Sequence, residues 1–210
     1  MSIDDFAARH TSPMAPFFEK IARETHLRTR APQMMTGAFQ GKFLEMVSQM
    51  VRPRRVLELG TFTGYSACCL AAGLTGDGIL HTIEGNEETF LIAQKNIENS
   101  PFSQKIKLHL GDAAAIAPGL DEVFDLVFLD AGKHHYSAHF DLVLEKIRPG
   151  GWLLADNVIW SGKLTDPKQT DRATEALRFF CEKINNDPRV ENLILPMRDG
   201  LMIVQRTVGG

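Results

Sequence analysis

The chain's 210 residues fall within the ~200–250 that one α/β domain can occupy, and a hydrophobic content of 44% is enough to fill a continuous core. A formal net charge of -3, with no run of basic residues, argues against the basic surface that nucleic-acid binding needs. The longest apolar stretches fall well short of the ~18 residues that would span a bilayer.

The start, Met-Ser-Ile-Asp-Asp-Phe, has neither the basic nor the apolar segment of a signal peptide. The three cysteines, two of them adjacent at Cys68 and Cys69, form no disulfide framework and are expected as small buried hydrophobes. These features describe a reduced, cytoplasmic protein.

In chain order, residues 13–30 read as a helix with charge on one side, and 31–37 as a break. A second helix over 39–51 carries Phe43, Leu44, Val47 and Met50 at helical spacing. This helical pair either covers a ligand-binding edge, makes a dimer contact, or simply caps the sheet. From residue 54 the pattern alternates. Strands are expected at 55–59, 79–84, 105–110, 124–129 and 151–155, with helices at 65–73, 87–99, 113–118 and 136–146 between them. Such alternation argues a parallel sheet with right-handed crossovers.

After Asp156 the rhythm changes. A polar loop over 161–170 leads to a helix at 171–186, and strands at 190–196 and 200–206 follow. The short Asp199-Gly200 turn calls for a hairpin, so the last strand runs antiparallel. The expected fold is α/β: a doubly wound, mostly parallel, Rossmann-like seven-stranded sheet with N-terminal helices and a C-terminal antiparallel hairpin. One domain covers 1–210, with 1–51 as helical cap and 54–210 as core.

The organising stretch is Arg55 to Ser66, a buried strand, a glycine turn and a helix start. Three residues separate Gly60 from Gly64, and no Gly-x-Gly-x-x-Gly follows the strand, so this is not a dinucleotide fingerprint. Glu58 lies just before the turn. Glu84 ends the second strand and can accept hydrogen bonds from both hydroxyls of a ribose. Together they suit a nucleoside with a small charged tail and no pyrophosphate.

Ligands of open α/β sheets sit beyond the carboxyl ends of the strands. Asp112 follows the third strand, Asp130 the fourth, and Asp156 with Asn157 the fifth. Asp130, Asp156 and Asn157 are hard oxygen donors at adjacent strand ends, a set that suits Mg²⁺ and leaves room for water or substrate. No Cys/His set has zinc spacing. Lys133 lies beside these donors, where a nearby dication favours its neutral form, as a general base requires. His134 and His135 are placed on the following helical turn, facing different ways. Trp160 either stacks on an aromatic substrate or anchors its loop.

Glu58-Leu-Gly60, Gly64-Tyr-Ser66, Glu84, Gly111-Asp-Ala113, Asp130-Ala-x-Lys133 and Asp156-Asn-x-x-Trp160 together resemble the cation-dependent class I O-methyltransferases. The caffeoyl-CoA and catechol O-methyltransferase group is the nearest in kind. Met34 to Leu44 is similar to the family's N-terminal segment, and Leu195-Pro-x-x-Asp-Gly200 to its closing hairpin.

The resemblance implies S-adenosylmethionine (SAM) as cofactor. Thr36, Gly60, Thr61 and Ser66 would hold its amino-acid tail, with Glu58 shaping the turn and Asp130 alongside. Glu84 would take the ribose, and Asp112 with Ala113 the adenine. Asp130, Asp156 and Asn157 would hold Mg²⁺, Mn²⁺ or Ca²⁺. A catechol-type phenol, lying near Met34, Trp160 and Ser161, would give up a proton to Lys133. Gly132 stands where many relatives carry a polar residue, and Ser161 where plant enzymes tend to have asparagine. Both differences point away from caffeoyl-CoA and toward a small soluble catechol. A homodimer through the N-terminal helices is expected, with no nucleic-acid or membrane partner.

Three other readings compete. A nicotinamide-dependent dehydrogenase would want the missing glycine fingerprint. A nucleic-acid amino-methyltransferase would want Asn/Asp-Pro-Pro-aromatic where Asp130-Ala-Gly-Lys133 stands. A fold kept only for interaction would not need the acid, amide and lysine set.

Overall fold

The computed structural model describes residues 3–208. Its centre is β1 (Arg55–Leu59), whose period-two pattern sends Leu57 and Leu59 to one apolar layer and Val56 to the other. A strand buried on both faces reads as a near-continuous apolar run, as this one does. Around it lie β2 (Ile79–Glu84), β3 (Ile106–Leu110), β4 (Phe124–Leu129), β5 (Ile147–Asp156), β6 (Val190–Leu195) and β7 (Leu201–Arg206).

The seven strands are ordered β3-β2-β1-β4-β5-β7-β6. Every pair from β3 to β5 is parallel, while β7 runs antiparallel to both β5 and β6. The mostly parallel sheet and the closing hairpin therefore stand as expected. Strand order reverses between β1 and β4, and a crevice opens at that switch point.

The helices are α1 (Ile3–Arg9), α2 (Pro16–Arg28), α3 (Gly37–Val51), α4 (Tyr65–Ala71), α5 (Glu87–Glu98), α6 (Ala113–Ile116), α7 (Tyr136–Leu144) and α8 (Arg172–Asn185). Phe18, Ile21 and Leu44 of α2 and α3 pack with α4 against Val56, Leu80 and Phe128. On the opposite layer, Phe180 of α8 meets the Tyr136 ring edge-on at 5.3 Å and Phe140 of α7 at 6.4 Å. Each such ring pair contributes about 0.5–1.5 kcal/mol beyond its buried area.

Several boundaries differ from the expected ones for local reasons. The helix expected from residue 13 starts at Pro16, because proline suits the first turn, where no amide partner is needed. The helix expected over 113–118 stops at Ile116, since Pro118 has no amide to continue it, and a 3-10 turn at Ala117–Gly119 follows. Strand β5 begins four residues before the expected 151. Its Pro149-Gly150 stretch looks like a turn, but a register shift opposite Phe124 and Leu126 absorbs it within the strand. Helix α1 lies where no element was expected.

Cys68 and Cys69 are fully buried and Cys181 half-buried, all free; burial pushes the Cys68 thiol up to about 12. They pack as hydrophobes. Among the described residues, no helix is long and apolar enough to cross a membrane.

Candidate active site

The turn after β1 brings the strand ends together. Gly60 has φ +97°, and a Cβ there would lie 2.5 Å from the Asp130 carbonyl oxygen, so only glycine allows β1 and β4 to meet this closely. Beneath the turn, Glu58 is fully buried. The Thr82 hydroxyl donates to its Oε2 and also bonds the Thr61 hydroxyl, while among the described residues no hydrogen bond reaches Oε1. Burial is the main cause that raises the Glu58 carboxyl from its ordinary 4.5 to about 8, opposed by the Ser66 and Thr82 hydroxyls.

A carboxyl raised on folding stabilises the native state most when protonated. That contribution is complete below about 4.5 and is lost as pH rises through about 8. Thermal melts between about pH 4.5 and pH 8 should therefore show falling stability, and Glu58→Gln should flatten that slope. An unchanged slope would show that Glu58 does not titrate in this range.

Glu84, at the end of β2, is held from three sides. Its Oε2 accepts from the Phe62 amide at 2.7 Å, and its Oε1 from the Asn86 amide at 2.9 Å and the Thr89 hydroxyl at 3.0 Å. The next strand end supplies Asp112, whose Oδ1 caps α6 by accepting from the Ala114 amide at 2.9 Å. Glu84, Asp112 and Ala113 all face the crevice.

Across the switch point, Lys133 Nζ lies 2.6 Å from Asp130 Oδ1 and donates to the Tyr136 hydroxyl at 2.7 Å. That hydroxyl also lies 3.1 and 3.0 Å from the Leu129 and Asp156 carbonyl oxygens, which fixes its place below the lysine. Burial raises the Asp130 carboxyl to about 6. Lys133 opposes the shift, while Asp156 adds to it.

Asp156 is buried, and its Oδ1 accepts from the Asn157 amide at 2.8 Å. Asn157, Trp160 and Ser161 all adopt positive φ, so the loop leaving β5 is strained where it borders the crevice. Gly132 also has positive φ, and a Cβ there would meet His135 at 3.2 Å, which gives the departure at this position a backbone reason.

One cleft of about 1130 Å³ joins these groups. Met34, Thr36, Gly60, Asp130, Lys133 and Trp160 line it, as do Asp156 and Asn157. Glu58, Thr61 and Ser66 do not: their side chains are buried behind the turn and support it from below. Ser161 is exposed outside the cleft, held by its amide on Asp199 Oδ1. Trp160 packs on the apolar layer and borders the cleft. His135 borders the cleft and His134 does not.

Sequence reasoning missed Tyr136, Arg198 and the Phe62 amide. Tyr136 reads as an ordinary apolar helix residue, and a backbone amide leaves no mark on composition. Arg198 stands in a hairpin far along the chain, where only the fold carries it to the cleft. There its Nη1 donates to the Thr36 carbonyl and lies 3.3 Å from Gln40 Oε1.

The cleft exceeds the ~300–1,000 Å³ of common small-molecule pockets, enough for a nucleoside cofactor beside a second small molecule. Its Gly60–Glu84 half offers a carboxylate and a close backbone approach. Its Asp130–Asp156 half gathers oxygen donors that fit a hard cation. Among the described residues, no cluster of three or more His, Cys, Asp or Glu that could hold a metal ion is present, and this half of the cleft brings two carboxylates with the Asn157 amide.

A methyltransferase is the class that this sheet and cleft define. The family model for O-methyltransferase matches residues 8–207. A catechol O-methyltransferase of Niastella koreensis is 35% identical over 170 residues, 79% of this chain and 77% of its own length. Caffeoyl-CoA O-methyltransferase 5 of Nicotiana tabacum is 28% identical over 92% of this chain and 86% of its own. Among solved structures, the O-methyltransferase from Bacillus cereus in complex with SAH superposes with a TM-score of 0.90 at 29% identity, covering 98% of this chain and 97% of that one. The chain belongs to the O-methyltransferase family and is a SAM-dependent O-methyltransferase.

Proposed function

We propose that the enzyme transfers the methyl group of SAM to one hydroxyl of a small catechol-type phenol, with a divalent cation, Mg²⁺ before Mn²⁺ or Ca²⁺, in the acceptor half of the cleft. The observation that carries this reading is the meeting of Asp130, Lys133, Asp156 and Asn157 on one side of a cleft whose other side ends in Glu84. The names of the catechol and caffeoyl-CoA relatives support it.

In this reading Glu84 accepts from the ribose hydroxyls, and Asp112 with Ala113 borders the adenine. Gly60, Thr36 and the turn bearing Thr61 and Ser66 border the amino-acid tail. Asp130, Asp156 and Asn157 would hold the cation, which would supply Lewis-acid polarisation of the phenol and so favour its ionisation. Lys133 Nζ takes the proton of the hydroxyl that reacts. Asp130 and Tyr136, at 2.6 and 2.7 Å, are already arranged to hold the resulting ammonium. The phenolate oxygen then forms its bond to the methyl carbon as the sulfur–methyl bond breaks, and the sulfonium leaves as a thioether. Phenolate and sulfonium lose their charges together, so alignment is the main remaining requirement. Met34, 61% exposed, and Trp160 flank the acceptor.

The same reading makes the protein one methyltransferase domain, cytoplasmic and homodimeric through its N-terminal helices, where Met46 and Met50 of α3 are exposed. The test is methyl transfer to 3,4-dihydroxybenzoate and caffeate with Mg²⁺ and then with EDTA. Methylation that EDTA abolishes is expected. Methylation that survives EDTA would remove the cation from the reading and leave the methyltransferase. SAM binding without turnover of either phenol would remove the catechol.

A further inference from the structure

Arg198 stands in the turn between β6 and β7 with φ +51°, a left-handed conformation that disfavours a long side chain. The turn therefore carries a local cost in order to aim this residue. It is exposed at the cleft mouth, and it lines the same cleft as Asp130 and Lys133. Its Nη1 is engaged by the Thr36 carbonyl and Gln40 Oε1, both on the N-terminal side of the cleft. Those two contacts fix the guanidinium plane without neutralising it. Among the described residues, no carboxylate lies within ion-pair distance of it, although its charge helps to hold the Asp130 carboxyl down.

Lys133, which lines the same cleft, is already engaged by Asp130 and Tyr136. Arg198 is thus a pre-oriented guanidinium with donors to spare, lining the same cleft as Asp130, Lys133 and Asp156 and exposed to solvent. A fixed guanidinium with two parallel N–H donors matches a carboxylate better than any neutral group.

We propose that Arg198 is a specificity-determining residue that binds the carboxylate of the methyl acceptor, so that the enzyme prefers phenolic acids to neutral or cationic catechols. The inference rests on the catechol reading above and narrows it to acceptors with an anionic side chain on the ring. The carboxylate pairs with the guanidinium at the mouth while the hydroxyls reach inward to the Asp130–Asp156 side. Because this contact is alike in ground and transition states, it acts on KM far more than on kcat.

The experiment compares 3,4-dihydroxybenzoate and caffeate, which differ in reach, with neutral 4-methylcatechol on the wild type, Arg198→Lys, Arg198→Gln and Arg198→Glu. Both kinetic constants are measured, and the dissociation constants of the same phenols are read by calorimetry with SAH present. For at least one acid, Arg198→Gln should raise KM and the dissociation constant about tenfold, the usual scale of one charge-assisted hydrogen bond, with little change in kcat. Arg198→Glu should raise them further, and Arg198→Lys should restore most of the preference. Melting midpoints show whether each variant is folded. An equal effect of Arg198→Gln on acids and on 4-methylcatechol would overturn the inference and make Arg198 only a tie to Thr36. So would a wild type that binds both kinds alike. If no phenol is methylated, the catechol reading fails, and the calorimetric comparison of acid with neutral phenol still decides the role of Arg198.

Discussion

Asp156→Ala is expected to lower kcat/KM for a catechol acceptor by on the order of 10³, the scale on which lost Lewis-acid stabilisation acts. Asp156 is buried at the end of β5, and its charge adds to the shift that holds the Asp130 carboxyl at about 6. The two carboxylates act on one another, with Lys133 and Arg198 opposing the shift at Asp130, and a dication held between Asp130 and Asp156 would relieve their mutual repulsion. A purely structural Asp156 would behave differently in one respect. Its carboxyl raises Asp130, so in EDTA the wild type should lose stability as pH rises from about 3.8 through about 6, the window in which a raised carboxyl gives up its proton. The variant should lose less. Added Mg²⁺ should then raise the melting midpoint of the wild type and not that of the variant, since only a bound ligand stabilises by mass action. A variant that still gains stability from Mg²⁺ would move the cation elsewhere.

Lys133→Met is expected to lower kcat by about 10²–10⁴, the usual contribution of a positioned general base, with a smaller change in KM. Methionine keeps most of the apolar stem, so packing over the Tyr136 ring, 4.9 Å from Nζ, is largely retained. The pH profile separates a base from a mere ion-pair partner. In the variant the acceptor must ionise without a base at this position, so its residual rate should keep rising into the alkaline range where the wild type has levelled off. Tyr136→Phe should produce a milder version of the same defect, because it removes one of the two groups holding Nζ. A Lys133→Met rate within tenfold of the wild type would place the base on another residue.

Much of this candidate site is legible in the sequence. Strand ends are readable because an apolar run must stop where the chain turns, and the polar residue at each stop falls on the ligand edge of a doubly wound sheet. That logic reaches Glu84, Asp112, Asp130, Asp156 and Asn157, and the cleft contains all five. It also reaches the glycine turn at Gly60 and the hairpin at Asp199-Gly200. The alternation of strands and helices was sufficient for the sheet, since each half-buried element has only one kind of partner that covers it.

Tertiary structure decided what sequence distance hides. Thr61 and Ser66 sit in the right turn, yet their side chains point into the core, because whether a residue faces a cleft or the layer beneath depends on backbone twist over one or two positions. Pro149 looks like a strand breaker and is absorbed by an irregular register that only the neighbouring strand reveals. Tyr136 becomes the support of Lys133 through carbonyls on two different strands. Arg198 meets Thr36 across 162 positions of chain. Local patterning sets which residues lie at the strand ends, because burial and hydrogen bonding act within a few residues. The identity of the groups that face one another across the cleft comes from the strand order, and no local term contains it.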